Sequence, residues 1–175
     1  MGLLAMILGK RKVSRAEAYS EEIKSRVAPY IDATFSLASL TLHLHITYWD
    51  LSNPTLLNYL GYVAGIIDAG DLELGRAGRD DWTATEIVLH EIIEEKLSWI
   101  QGVEEYLKIS QIGIASGGTM IGELEKVPAF SSAMRWGIND FLDRNKYDHP
   151  PIGLYESGLI DFNPIGVNLG KPSEW

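Results

Sequence analysis

The chain has 175 residues, 46% of them hydrophobic and 22% charged, with a formal net charge of −9 and no cysteine. That length suits one domain with a substantial core. The lack of cysteine excludes disulfides, a thiolate metal site and a cysteine nucleophile, and the acidic balance argues against a nucleic-acid binder, which needs a basic face against phosphate.

Met1 to Leu8 is apolar apart from Gly2, and Lys10, Arg11 and Lys12 follow it. A secretory signal has the opposite order, charges first. Residues 1–13 therefore read as a loosely ordered cationic and apolar arm. The functional alternative is a membrane-surface anchor formed by residues 1–12.

Ser14 and Glu17 fit a capping box, in which each side chain takes an unpaired backbone N–H of a first helical turn. The pattern predicts a helix from about Arg15, broken or kinked before Pro29. Thr41 to Tyr48 alternates as a strand would, but a lone strand leaves its backbone groups unpaired, so residues 30–49 read as helix. Ala33–Trp49 and Leu51–Ile67 carry no charge, yet each is too short and too polar to span a membrane and reads as buried core.

Ser52-Asn53-Pro54 places a capping side chain before a proline at the first helical position. The helix is expected from Pro54 to about Ala69, with Gly70 as terminator. Asp71–Asp81 reads as a solvated connection; Asp68, Asp71 and Glu73 lack the glycine and final glutamate of a calcium loop. Thr83 and Glu86 form a second capping box, opening a helix over 83–108.

On that helix Leu89, Ile93, Leu97, Ile100, Val103 and Leu107 share one stripe, while Glu91, Glu95, Ser98 and Glu105 point away from it. Glu86, His90 and Glu94 recur at i, i+4, i+8 along one flank. Imidazole and carboxylates at this spacing suit a divalent transition metal. The pattern lacks the second histidine of a zinc-protease helix and the paired Glu-x-x-His motifs of a di-iron bundle. His43 and His45 could chelate together only on a strand and are expected as hydrogen-bonded core residues; His149 is expected at the surface.

Gly113–Gly122 reads as a flexible link. It is no phosphate loop, because Glu123 follows the last glycine where lysine is required. Ser116, Ser131 and Ser132 lack a nucleophile-elbow context. Pro128 opens a helix to about Arg144. From Lys146 onward four prolines disfavour helix, yet Ile152, Leu154, Leu159, Phe162, Ile165 and Val167 make the arm too apolar to float free. An extended segment of this length usually binds something.

These readings predict an all-α, single-domain bundle of about five helices over 14–145, with an extended apolar arm, 146–175, packing on the body or on a neighbouring subunit. The charge has a layout: residues 1–26 hold six basic and three acidic groups, and residues 68–105 hold three basic and eleven acidic ones. The expected role is a non-catalytic, homo-oligomeric interaction or assembly protein of the cytoplasm, partnered by itself or another protein, with no nucleic acid, no cofactor and no transmembrane segment. The alternatives are a metal-binding protein or metalloenzyme using Glu86, His90 and Glu94, and a membrane-peripheral protein held by residues 1–12.

Overall fold

The computed structural model describes residues 3–75, 83–115, 119–146 and 151–160, with side chains described in 17–75, 84–114, 119–146 and 151–160. These residues form seven helices and no strand: α1 (Leu3–His45), α2 (Pro54–Glu73), α3 (Thr83–Leu97), α4 (Val103–Ala115), α5 (Met120–Leu124), α6 (Pro128–Asp143) and α7 (Ile152–Glu156). The all-α expectation holds, although the pieces differ from the five expected. No described helix is long and apolar enough to cross a membrane.

The expected start at Arg15 and break before Pro29 are both corrected. Ser14 and Glu17 lie inside α1, which runs unbroken through Pro29. Ile23, Val27, Ile31, Thr34, Ala38, Leu42 and Ile46 recur three or four residues apart and are buried on both sides of the proline. A proline inside a helix costs about 3 kcal/mol, whereas each fully buried Val, Leu or Ile contributes about 1.5–3 kcal/mol. The continuous seam outweighs the break, and exposed Pro29 leaves its lost hydrogen bond to water. The strand-like alternation of 41–48 yields to helix as far as His45. Beyond it, Tyr48 bridges to Gln101, with Trp49 N–H donating to the Gln101 carbonyl at 2.8 Å.

Asn53 caps α2 as expected: its side-chain oxygen accepts from Thr55 and Leu56 N–H at 2.9 and 3.3 Å, ahead of Pro54. Gly70, however, does not end the helix. It is buried against Val27, and the chain turns at Gly75 with φ +80°. The supposed solvated turn is thus helical to Glu73, and Asp68 is buried.

Every residue from Tyr59 to Gly70 is buried, making α2 the central helix. A helix apolar all round must be enclosed, and α6 encloses it at backbone contact. A Cβ on Gly61 would overlap the Phe130 carbonyl oxygen, one on Gly65 that of Met134, and one on Gly137 that of Tyr62.

The expected 83–108 helix divides into α3 and α4. α3 stops at Leu97, Gly102 takes the left-handed φ of +88° immediately before α4, and Gln101 N–H donates to the Thr47 carbonyl at 3.3 Å. The apolar stripe from Leu89 to Leu107 is nonetheless buried throughout. Helix α7 corrects the expectation of no helix beyond Lys146. Asp140 Oδ2 accepts from Gly153 N–H at 2.8 Å and from the Tyr62 hydroxyl at 2.7 Å, and Asn58 Nδ2 donates to the Ser157 carbonyl at 2.9 Å. These bonds fasten residues 151–160 to α2 and α6. His149 and residues 161–175 lie outside the described residues.

Glu73 ties three helices together: its carboxylate accepts from Arg144 at 2.8 and 3.0 Å and from Arg26 at 3.1 Å. The Arg144 hydrogen bonds, reinforced by Arg26, hold its pKa below the usual 4.5. A depressed folded pKa gives stability that is present above the unfolded value and lost as pH falls through the folded one. Glu73→Gln is therefore expected to be less stable than the native chain at neutral pH, by under about 1 kcal/mol for so open a pair. The gap should close as pH drops through about 4 and below. Thermal melts of both proteins across that range check this; a gap that widens on acidification contradicts it.

Candidate functional site

The flank on α3 does not act as three equivalent ligands. Glu86 is fully buried and turned inward. Its two oxygens accept from Met120 N–H at 3.1 Å and Ile121 N–H at 3.0 Å. Those are the leading amides of α5, whose N-cap residue Thr119 makes no side-chain bond. Glu86 thus caps a helix 34 residues downstream. Glu94 is exposed at the other end of the flank. The structure brings Glu86 and His90 together and leaves Glu94 outside. Among the described residues, no three His, Asp or Glu side chains converge so as to hold a metal ion.

His90, only 6% exposed, is wired by its Nε2 edge. Nε2 lies 2.6 Å from Ser110 Oγ and 3.4 Å from Glu86 Oε1. Ser110 also hydrogen-bonds the Tyr106 hydroxyl, and Tyr106 donates its proton to Met120 Sδ. The other ring nitrogen, Nδ1, is buried with no hydrogen-bond partner among the described residues. Burial, the largest influence, raises the Tyr106 pKa above its usual 10, and the charge of Glu86 acts in the same direction.

This geometry is not a serine-nucleophile triad. There the acid and the serine must occupy opposite ring nitrogens, whereas Glu86 and Ser110 share Nε2 here. Sequence reading missed Ser110 and Tyr106 because they sit on α4, with no fixed spacing from His90. Their i, i+4 relation on α4 is the one local signal.

Trp49 stacks on Tyr106 with ring centroids 4.4 Å apart, which seats the chain after α1 against this cluster. His43 and His45 depart from expectation: both are exposed. His43 Nδ1 donates to the Ser39 carbonyl at 2.7 Å, and the ring stacks on half-exposed Trp99 at 4.1 Å. Their face of α1 looks outward because the buried seam uses Ala38, Leu42 and Ile46 instead.

A second polar cluster lies under α7. Tyr30 hydrogen-bonds Tyr62, which donates to Asp140. Burial, and then the Asp140 charge, push the Tyr30 hydroxyl up to about 12, and the same causes raise Tyr62 further. An open cavity of about 490 Å³ beside them is lined by Trp136, Asn139 and Arg144 among others. Arg144 is already engaged, by Glu73 and by the Phe141 ring 3.9 Å away. The cluster's evident work is to seat α7.

On the outside of α1, Leu37, Leu40 and Leu44 are 49%, 70% and 69% exposed. They follow one another by three and four residues, and with Ala33 they form an apolar seam opposite the buried one. No charged residue occurs from Ala33 to Trp49. The chain matches no protein-family model, no curated protein and no solved structure.

Proposed function

We propose that the protein is a non-catalytic helical assembly protein that pairs with a second copy of itself through the outer face of α1. The observation that carries the reading is the exposed seam Ala33, Leu37, Leu40 and Leu44. Residues alternating at three and four are the repeat by which helices pair side by side. Exposed leucines in a row, rather than scattered singly, mark an interaction surface.

Charge favours a second copy as the occupant. A chain of net −9 repels its own kind over most of its surface. The seam lies in a 17-residue stretch without charge, so two copies can approach there without that penalty. Four such side chains give a contact at the small end of specific interfaces, which places the dissociation constant in the micromolar range, about 1–100 μM.

Sedimentation velocity across that range should show native dimers. Leu40→Glu combined with Leu44→Glu should leave monomers of unchanged helicity. A native chain that stays monomeric throughout overturns the proposal. So does a monomer destabilised by the same substitutions, which would mean that the chain's own residues 161–175 cover the seam.

A further inference from the structure

We infer that the first turns of α1 attach the protein to an anionic lipid bilayer. Leu3 to Leu8 enter the boundary between headgroups and acyl chains, and Lys10, Arg11, Lys12 and Arg15 meet the anionic headgroups. α1 begins at Leu3 and runs without a break into the seam that packs on the body. Residues 3–16 are therefore about four turns of helix, roughly 20 Å long, ahead of Glu17. Ser20 and Ile23 are the first buried residues among the described side chains of α1.

The order of residues along these turns carries the inference. Leu3, Leu4, Ala5, Met6, Ile7 and Leu8 are six apolar residues in succession. At about 100° per residue they occupy the whole circumference of the helix, and none of the positions is polar. A helix apolar all round has to be enclosed. A groove on a protein covers one face of a helix, whereas fluid acyl chains close round every side. Six residues rise about 9 Å, which matches the roughly 5–10 Å to which interfacial helices sink. The run is far short of the about 20 residues that span a bilayer, so the contact is peripheral.

Charge names the kind of bilayer. The turns after Leu8 hold four cations, and no acid occurs before Glu17. Anionic headgroups lie just outside the acyl boundary, and each cation near such a surface strengthens attachment about fivefold. Residues 17–175 hold 11 basic and 24 acidic groups, so an anionic surface repels the rest of the chain. Attachment is thereby confined to the start of α1. It is also independent of pairing through the outer face, because Ala33 follows Leu8 by about 38 Å along the helix.

Flotation of the full chain with phosphatidylcholine vesicles, with and without about 30% phosphatidylserine, tests the inference. The protein should float with the anionic vesicles at about 0.1 M salt, far less with the neutral ones, and less again at about 0.5 M. Arg11→Gln combined with Lys12→Gln should weaken binding about thirtyfold. Leu4→Glu combined with Ile7→Glu should abolish it and leave helicity and lipid-free sedimentation unchanged. Absence of binding overturns the inference, as does equal binding to both kinds of vesicle. Full binding by the Leu4→Glu, Ile7→Glu chain reduces the contact to diffuse attraction and overturns it too. A change in that variant's lipid-free sedimentation would assign the apolar turns to a protein contact instead. Loss of flotation on Leu40→Glu with Leu44→Glu, while Leu4→Glu with Ile7→Glu still floats, would move the lipid contact to the outer face and overturn it as well.

Discussion

Gly65→Ala and Gly137→Ala are each expected to destabilise the protein by about 3 kcal/mol, although alanine is the better helix former. The two effects oppose one another. Alanine in place of a helical glycine gains roughly 0.5–1 kcal/mol of backbone entropy. Here, however, the new methyl would overlap the carbonyl oxygen of Met134 or of Tyr62. Those atoms are backbone and cannot rotate aside, so α2 and α6 must separate. The contacts around Leu60, Ile66, Phe130 and Phe141 then loosen together. For a chain of this size each kcal/mol shifts the melting temperature by roughly 2–4 °C. Gly113→Ala is the internal control, because a Cβ on Gly113 within α4 meets nothing within 4 Å. It should stabilise by up to about 1 kcal/mol. Denaturant unfolding of the three variants checks the sign in each case. Stabilisation of all three would mean that the helices do not touch through these glycines.

The second large effect is expected at Glu86. Its carboxylate satisfies two amides, and the one at Ile121 is buried. Glu86→Ala should cost about 2–4 kcal/mol, the desolvation penalty of the donors it strands. Glu86→Gln keeps one oxygen but presents an amide N–H₂ to the other donor, and should recover only part of that loss. Hydrogen exchange localises the effect. Met120 and Ile121 amides should lose protection in both variants, and the His90–Ser110 link should loosen because Nε2 loses its neighbour at 3.4 Å. Unchanged protection at those two amides would show that α5 is held by something other than Glu86. Met120 also receives the Tyr106 hydroxyl. The capping of α5 and the wiring of His90 are therefore one structure.

The distance between sequence and structure is clearest on α3. The spacing of Glu86, His90 and Glu94 was legible and suggested three neighbouring ligands. Spacing on a helix places side chains on a flank, but it does not say what the flank meets. α5 met its first member and left its last in solvent, so the flank became a cap, a buried histidine and a surface acid. Ser110 and Tyr106 were invisible for the same reason, being brought to His90 by the turn at Gly102.

By itself the sequence determined the local outcomes governed by neighbouring residues: the helical class of the described residues, the Asn53-Pro54 start of α2, the Pro128 start of α6 and the buried stripe from Leu89 to Leu107. Capping bonds and helical periodicity act over a turn or two, so they can be read along the chain. Tertiary structure decided where helices stop or continue. Pro29 was carried through because its neighbours on both sides are buried, and Gly70 was kept in α2 because Val27 packs on it. After Leu97, by contrast, the chain left the helix and turned through Gly102 into α4 where the loop meets Thr47 and Trp49. Those outcomes rest on burial free energy summed over distant contacts, which exceeds the roughly 1–3 kcal/mol that a single glycine or proline contributes locally.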